Sequence, residues 1–130
     1  MGKAKVFLSY GAGDREWAGS FARALARRSV VVWFENDPGR TPDRADLIQA
    51  LMTSDIYAVV IGKRGLGSPE VMFELGVAAA SNRPVIPIIL GDAATPRLLT
   101  SLARIHVVRS ADPEAAAVEL KRVVTQIKGE

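Results

Sequence analysis

Five short apolar runs, separated by segments of helical periodicity, constrain what this chain can fold into. The runs are continuous rather than alternating, and they occupy residues 5–9, 30–34, 56–62, 84–90 and 104–108. A strand with one face in water alternates apolar and polar residues, whereas a continuous apolar run is typical of a strand covered on both faces. The pattern therefore predicts the five strands of a parallel sheet.

The segments between these runs carry apolar residues at the three- and four-residue spacing of helices. That spacing predicts helices over residues 14–28, 42–53, 69–81 and 113–128, with a shorter helical turn over 96–102. Asp14 and Ser68 stand at N-cap positions, and Pro69 stands at the first helical position. The regular alternation of strand and helix predicts an α/β, doubly wound fold with helices on both faces of the sheet.

Five strand–helix units fit the flavodoxin-like strand order 2-1-3-4-5, in which ligands bind at the carboxyl ends of strands 1 and 3. A length of 130 residues favours one domain over the whole chain, 1–130. The longest polar stretch, "ENDPGRTPDR" (35–44), is rich in turn-forming residues and is predicted to be a loop after strand 2.

The composition of the chain excludes several kinds of catalysis and makes some binding partners unexpected. The absence of cysteine excludes thiolate catalysis and cysteine-bound zinc. No apolar run approaches the roughly 20 residues that span a bilayer, and no signal peptide precedes the first strand, so we expect a cytoplasmic protein with no membrane partner. The net charge of +3 comes from 17 basic and 14 acidic residues that are scattered along the chain. Such scatter is typical of a solvated surface, and a nucleic-acid partner is not expected.

Several familiar phosphate and catalytic motifs are absent. The string "GKRGLG" (62–67) lacks the hydroxyl and the spacing of a P-loop, and "YGAGD" (10–14) lacks the third glycine of a dinucleotide fingerprint. The ends of strands 1 and 3 lack the aspartates of a phosphoacceptor site. His106 is the single histidine and is expected to have a structural role within the fifth apolar strand, so neither a catalytic triad nor a metal site is predicted.

One carboxylate stands out in the stretch "GSPEVMFELGVAAA" (67–80). Glu74 lies between Phe73 and Leu75 in a helix that starts beside the predicted crevice, and Glu70 shares its face four residues earlier. A single carboxylate suffices to cleave an N-glycosidic bond with an activated leaving group, such as the cationic nicotinamide of NAD+. The alternative is that Glu74 merely complements the helix dipole. The spacing leaves both interpretations open.

The ordered set of motifs resembles a Toll/interleukin-1 receptor (TIR) domain, and more specifically its bacterial members. The motifs are "VFLSYGAGD" (6–14), "VVVWFENDPGRTPDRADLIQALMTSD" (30–55), "SPEVMFEL" (68–75) and "PVIPIIL" (84–90). Together they cover nearly the whole chain. The string "SPEVMFELGVAAA" is also similar, more weakly, to the nucleophile helix of nucleoside 2-deoxyribosyltransferases.

The TIR resemblance implies an NAD+ glycohydrolase that acts in bacterial defence signalling, with NAD+ as substrate and no cofactor. Glu74 matches the catalytic glutamate of the family, and the 36–43 loop would act as a lid. The resemblance further implies substrate contacts from Ser9, Tyr10, Gly11, Trp33, Asp37, Ser68 and Glu70. Trp33 can equally be a core residue, and Lys63-Arg64 can either contact phosphate or ribose or belong to the solvated surface.

Activity in the family often requires assembly, so the implied partners are self-association or other TIR domains, with a fused or separate sensor domain. One departure concerns Glu70, which replaces the tryptophan that the family has four residues before the catalytic glutamate. Two alternatives to NAD+ cleavage therefore stay open. One is a non-catalytic TIR interaction module, and the other is an N-glycosidase or transferase that acts on nucleosides or nucleotides.

Overall fold

The strands and helices follow the order expected from the sequence. A computed structural model describes residues 3–34, 44–65, 69–97, 99 and 106–129 of the chain. Its strands are β1 (Lys5–Ser9), β2 (Val31–Phe34), β3 (Ile56–Ile61), β4 (Val85–Ile89) and β5 (Val108–Arg109). Its helices are α1 (Arg15–Ala26), α2 (Arg44–Thr53), α3 (Pro69–Ala80) and α4 (Pro113–Gly129), and a 3-10 turn, Ala12–Asp14, precedes α1.

The sheet has the order β2-β1-β3-β4-β5, and every pair of neighbouring strands is parallel. This confirms the predicted flavodoxin-like topology. All residues of β3 and β4 are buried, as expected for continuous apolar runs with helices on both faces. Among the described helices, none is long and apolar enough to cross a lipid bilayer.

The fifth strand differs from its predicted position at 104–108. Residues 104 and 105 lie outside the described part of the chain, and pairing with β4 begins only at Val108, opposite Ile88. His106 therefore precedes the strand rather than lying in it, and its side chain is half-buried. β5 is an edge strand with a single neighbour, so its length depends on that pairing and not on its own apolar run. Most of the helical turn predicted over 96–102 also falls outside the described residues.

Two apolar layers cover the sheet, one on each face. Because successive strand residues point to opposite faces, Leu8 packs with α1 and α4, whereas Phe7 packs with α2 and α3. On the first face Phe21 of α1 is fully buried against this layer, and on the second face Leu75 of α3 is 2% exposed. The two helix layers therefore leave the carboxyl edge of the sheet as the place for polar chemistry.

Replacing Phe21 by alanine is expected to lower the free energy of unfolding by about 3–5 kcal/mol, because it leaves a cavity at a fully buried site. Urea denaturation followed by circular dichroism measures this loss. The control is Val118→Ala on α4, where the side chain is 54% exposed and the expected change stays within about 0.5 kcal/mol. Similar losses for the two variants would contradict the placement of α1 in the core.

Candidate functional site

The strand order places a topological switch point between β1 and β3. The chain leaves β1 toward α1 on one face of the sheet, and it leaves β3 toward α3 on the other face. The two connections therefore diverge, and a crevice forms between them at the carboxyl ends of the strands. The predicted site residues that the structure describes lie on or next to this edge.

Ser9 and Glu74 meet inside the protein, on the α2–α3 face. The Ser9 hydroxyl donates a hydrogen bond to Glu74 Oε1, and the two residues are 2% and 1% exposed. Glu74 lies on the face of α3 that also carries the buried Val71 and Ala78, so its side chain turns toward the sheet. A buried polar group without a partner costs about 1–3 kcal/mol, and this hydrogen bond offsets that cost for both side chains.

The aromatic residues of the predicted site do not share one face of the sheet. Trp33 stacks on Phe7, with ring centroids 4.7 Å apart, on the same face as Ser9 and Glu74. Tyr10 lies on the opposite face, where it is 8% exposed and its ring meets Phe34 at a centroid distance of 6.2 Å. The sheet therefore brings Ser9, Trp33 and Glu74 to one face and turns Tyr10 away from them.

Three of the predicted site residues cannot be placed. Asp37 and Ser68 lie outside the described residues, and so does the whole of the predicted 36–43 lid. Glu70 belongs to the first turn of α3, but its side chain is not described. Their contacts with a substrate stay predictions.

A cavity of about 660 Å³ opens at the switch point, and we call it the edge cavity. Its walls come from the turns after β1, β3 and β4, together with Trp17 of α1 and Ala111. Gly11 lines it, whereas Ser9, Tyr10, Trp33 and Glu74 do not. The cavity and the buried Ser9–Glu74 pair are therefore separate features of one edge.

Asp14 lines the edge cavity, although the sequence predicts it as the N-cap of α1. It stands at the N-terminus of α1, but its side chain makes no capping hydrogen bond. Instead the carboxylate accepts a hydrogen bond from the backbone N–H of Gly62. A Cβ on residue 62 would come within 2.4 Å of Asp14 Oδ1, so glycine is required for this approach. Asp14 thus ties the loop after β1 to the turn after β3.

Burial raises the pKa of the Asp14 carboxyl above its usual value of 3.8. The hydrogen bond from Gly62 and the positive charge of Arg64 oppose this rise without cancelling it. Burial disfavours the ionised form of a carboxyl, whereas a donor and a nearby cation favour it. A carboxyl with a perturbed pKa in a cleft is a typical feature of functional sites.

The turn from Gly62 to Gly65 presents two basic side chains at the cavity. The Gly65 N–H donates to the Gly62 carbonyl oxygen at 3.0 Å, and Gly65 has a φ of +66° that favours glycine. Lys63 and Arg64 lie between them and are exposed. Arg64 extends toward the loop after β1, since its Nη1 would be 4.0 Å from a Cβ on Gly13.

Within the described part of the chain, no three acidic, histidine or cysteine side chains come together as metal ligands. His106 lies before β5 and does not line the edge cavity. At this edge the described residues offer carboxylates, the hydroxyls of Ser9 and Tyr10, and the cations Lys63 and Arg64.

Comparison with known proteins identifies the family to which this chain belongs. The sequence matches a family model described as the TIR domain over residues 6–121. This confirms the resemblance found in the sequence motifs. No significant match to a curated protein was found.

Solved structures similar to this one include both TIR domains and N-glycosidic enzymes. The TIR domain of a Toll-related receptor from Hydra magnipapillata is 17% identical, with a TM-score of 0.70 over 95% of this chain and 97% of that one. A CMP N-glycosidase from Clostridium botulinum is 17% identical, with a TM-score of 0.65 over 92% and 98%. A 2-deoxyribosyltransferase from Bacillus psychrosaccharolyticus is 16% identical, with a TM-score of 0.62 over 79% and 85%. At these identities the likeness is one of fold.

The Asp14→Asn variant is expected to have a higher melting temperature than the wild type at pH 7. A raised pKa means that folding favours protonated Asp14, and the stability this contributes is lost as the pH rises from 3.8 through the raised pKa. Asparagine cannot ionise and keeps an oxygen for the Gly62 N–H, so it avoids this loss.

Thermal unfolding of both proteins from pH 4 to pH 7 tests this expectation. The melting temperature of Asp14→Asn should exceed that of the wild type by an amount that grows as the pH rises. The control is Asp92→Asn, because Asp92 also lines the cavity but is exposed. A difference between Asp14→Asn and wild type that does not change with pH would contradict the argument.

Proposed function

This chain belongs to the TIR domain family, and on that premise we propose that it cleaves the bond between nicotinamide and ribose in NAD+. The products would be nicotinamide and ADP-ribose, or a cyclic ADP-ribose. The observation that carries the proposal is the carboxylate of Glu74, which is 1% exposed and hydrogen-bonded by Ser9 at the carboxyl end of β1. A carboxylate that only complements a helix dipole has no need of such burial.

The chemistry requires little beyond this carboxylate. When the C1′–N bond breaks, its electron pair moves onto the pyridinium nitrogen, and nicotinamide leaves as a neutral molecule. No general acid is needed, since the leaving group takes no proton. The ribose develops oxocarbenium character. Glu74 either stabilises this positive charge electrostatically or attacks C1′ and forms a covalent bond to it. A water molecule then adds to the C1′ cation, or displaces the Glu74 carboxylate where it has bonded to C1′, and it loses a proton to solvent, which gives ADP-ribose.

Ser9 acts in this scheme as a positioning residue. Its hydroxyl engages Glu74 Oε1 and so fixes the orientation of the carboxylate relative to the end of β1. A preorganised carboxylate does not have to reorient as charge develops on the ribose, which lowers the barrier.

The burial of Glu74 gives a physical reason for activation by assembly. A ribose cannot contact a side chain that is 1% exposed and lies outside the edge cavity, so the chain around Glu74 must rearrange before catalysis. A partner that binds only the rearranged form stabilises it. Self-association or another TIR domain would supply this binding, and a dilute monomer would have weak activity.

A nucleotide or nucleoside N-glycosidase is the second candidate. Glu74 would perform the same chemistry on it, and the fold is shared with a CMP N-glycosidase and a 2-deoxyribosyltransferase. The observation that favours this candidate is Glu70, which stands where catalytic TIR domains have a tryptophan. Loss of that aromatic ring favours a substrate whose base is held in another way.

The test is the release of nicotinamide from NAD+ at high protein concentration with a crowding agent. We expect release by the wild type and a rate lower by about 100-fold or more for Glu74→Gln, the size of effect seen when one group that stabilises a transition state is removed. Glu16→Gln is the matched control, because it makes the same change at an exposed position of α1, and it should keep the wild-type rate.

Three outcomes would overturn the NAD+ proposal. Equal rates for wild type and Glu74→Gln would exclude Glu74 as the catalytic group. Cytosine release from CMP, or base release from a deoxynucleoside, with NAD+ left intact would select the N-glycosidase. A folded, self-associated protein that cleaves neither substrate would be a non-catalytic interaction module.

A further inference from the structure

We propose that β2 is a docking surface for a second copy of this chain, whose own β2 pairs with it in the antiparallel direction. β2 stands at one end of the strand order, and among the described strands β1 is its single neighbour. We call the side of β2 that faces away from β1 the outer edge. An edge strand presents N–H and C=O groups with which another extended chain can pair. Pairing at this edge does not depend on the proposed NAD+ cleavage.

The main-chain groups at the outer edge belong to Val32 and Phe34. The N–H of Val31 donates to the carbonyl oxygen of Ala4 at 2.9 Å, so Val31 turns its main-chain groups toward β1. Successive residues of a strand direct these groups to opposite edges, so Trp33 also faces β1, whereas Val32 and Phe34 face away from it. Each of the latter two residues offers one N–H donor and one C=O acceptor to a further strand.

The side chains of β2 also favour a further strand. The strand consists of apolar and aromatic residues alone, yet Val31 is 44% exposed and the other three residues are half-buried. In contrast, β3 and β4, which have strands on both sides, are buried over their whole length. A strand beside the outer edge would remove apolar area of β2 from water, which is favourable.

The opposite edge of the sheet carries the features that prevent such pairing. β5 is only two residues long, and one of them is the charged Arg109. The Arg109 guanidinium donates to the carbonyl oxygens of Gly91 and Ala93 at 2.8 and 2.9 Å, so it is fixed beside the strand. Short length and charged side chains are the means by which proteins protect sheet edges. β2 is four residues long and has neither a charge nor a proline.

This contrast selects a second β2 as the partner, since β5 is too short and is charged. Two identical strands that pair antiparallel are related by a two-fold axis, which closes the assembly as a dimer. An axis at Trp33 sets Val32 opposite Phe34 of the second copy, and these two residues then exchange both N–H···O=C hydrogen bonds. Trp33 meets its own counterpart. Aromatic pairs and pairs of aromatic with β-branched residues are among those that stabilise sheets.

Charges in the sequence favour the antiparallel direction. The strand is preceded by Arg27 and Arg28 and followed by Glu35 and Asp37. Glu35 and Asp37 lie outside the described residues, so this complementarity is one of sequence. Antiparallel pairing aligns the basic flank of one copy with the acidic flank of the other, whereas parallel pairing would align like charges.

Analytical ultracentrifugation from micromolar to millimolar protein tests the inference, and we expect a dimer whose fraction rises with concentration. Val32→Pro removes the outward N–H from both copies but leaves the bonds from Val31 and Trp33 to β1 intact. It should raise the dissociation constant about ten- to hundredfold, as expected for two lost hydrogen bonds. Val32→Thr is the matched control, because it keeps the N–H and the β-branched shape, and it should dimerise as the wild type does.

Amide hydrogen exchange of the wild type, followed by NMR, tests the same interface without a mutation. The Val31 and Trp33 amides should be protected at every concentration, whereas protection of the Val32 and Phe34 amides should rise with protein concentration. Melting temperatures show whether each variant is folded.

Three results would overturn the inference. The first is a monomer at millimolar concentration. The second is a folded Val32→Pro variant that dimerises as tightly as Val32→Thr, which would place the contact on another surface. The third is exchange of the Val32 and Phe34 amides that does not change with concentration. These measurements contain no NAD+, so their outcome is independent of the proposed cleavage.

Discussion

Burial of the parallel sheet on both faces is the constraint on which the rest of this structure depends. Because helices cover each face, the strands can carry little but apolar side chains, and β3 and β4 are buried over their whole length. Polar groups therefore lie beyond the ends of the strands, and the carboxyl ends carry Ser9, Glu74 and Asp14. Ser9 is the last residue of β1, and it is the partner that allows Glu74 to enter the α2–α3 layer.

Glu74 and Asp14 are carboxylates at this edge that stand in opposite settings. Glu74 is buried on the α2–α3 face and is bonded to a hydroxyl, whereas Asp14 opens into a cavity beside α1 and is bonded to a backbone N–H. The switch point separates them because the chain leaves β1 and β3 toward opposite faces. The proposed function assigns bond cleavage to Glu74, whereas Asp14 ties the loop after β1 to the turn after β3.

The number, order and burial of the strands could be predicted because continuity of an apolar run is a local property. The isolated charge of Glu74 within an apolar helix was likewise visible in the sequence. The hydrogen bond between Asp14 and the Gly62 N–H cannot be predicted in this way, because the rule for N-caps is local and Gly62 lies in another turn of the chain. The opposite faces of Ser9 and Tyr10 follow from the alternation of neighbouring strand residues, which is a local signal in the sequence. The position of β5 depends on pairing with β4, which no local pattern encodes.

The central claim is that Glu74 is retained for chemistry and not for the fold. The most direct test is the free energy of unfolding of the double variant Ser9→Ala/Glu74→Met, in which an apolar side chain of similar length replaces the carboxylate and no hydroxyl is left without a partner. If the pair serves function, the variant should be as stable as the wild type or more stable, because apolar replacement of buried charged or polar pairs is often neutral or favourable. A loss of about 3 kcal/mol or more would contradict the claim and make the pair a structural element of the core.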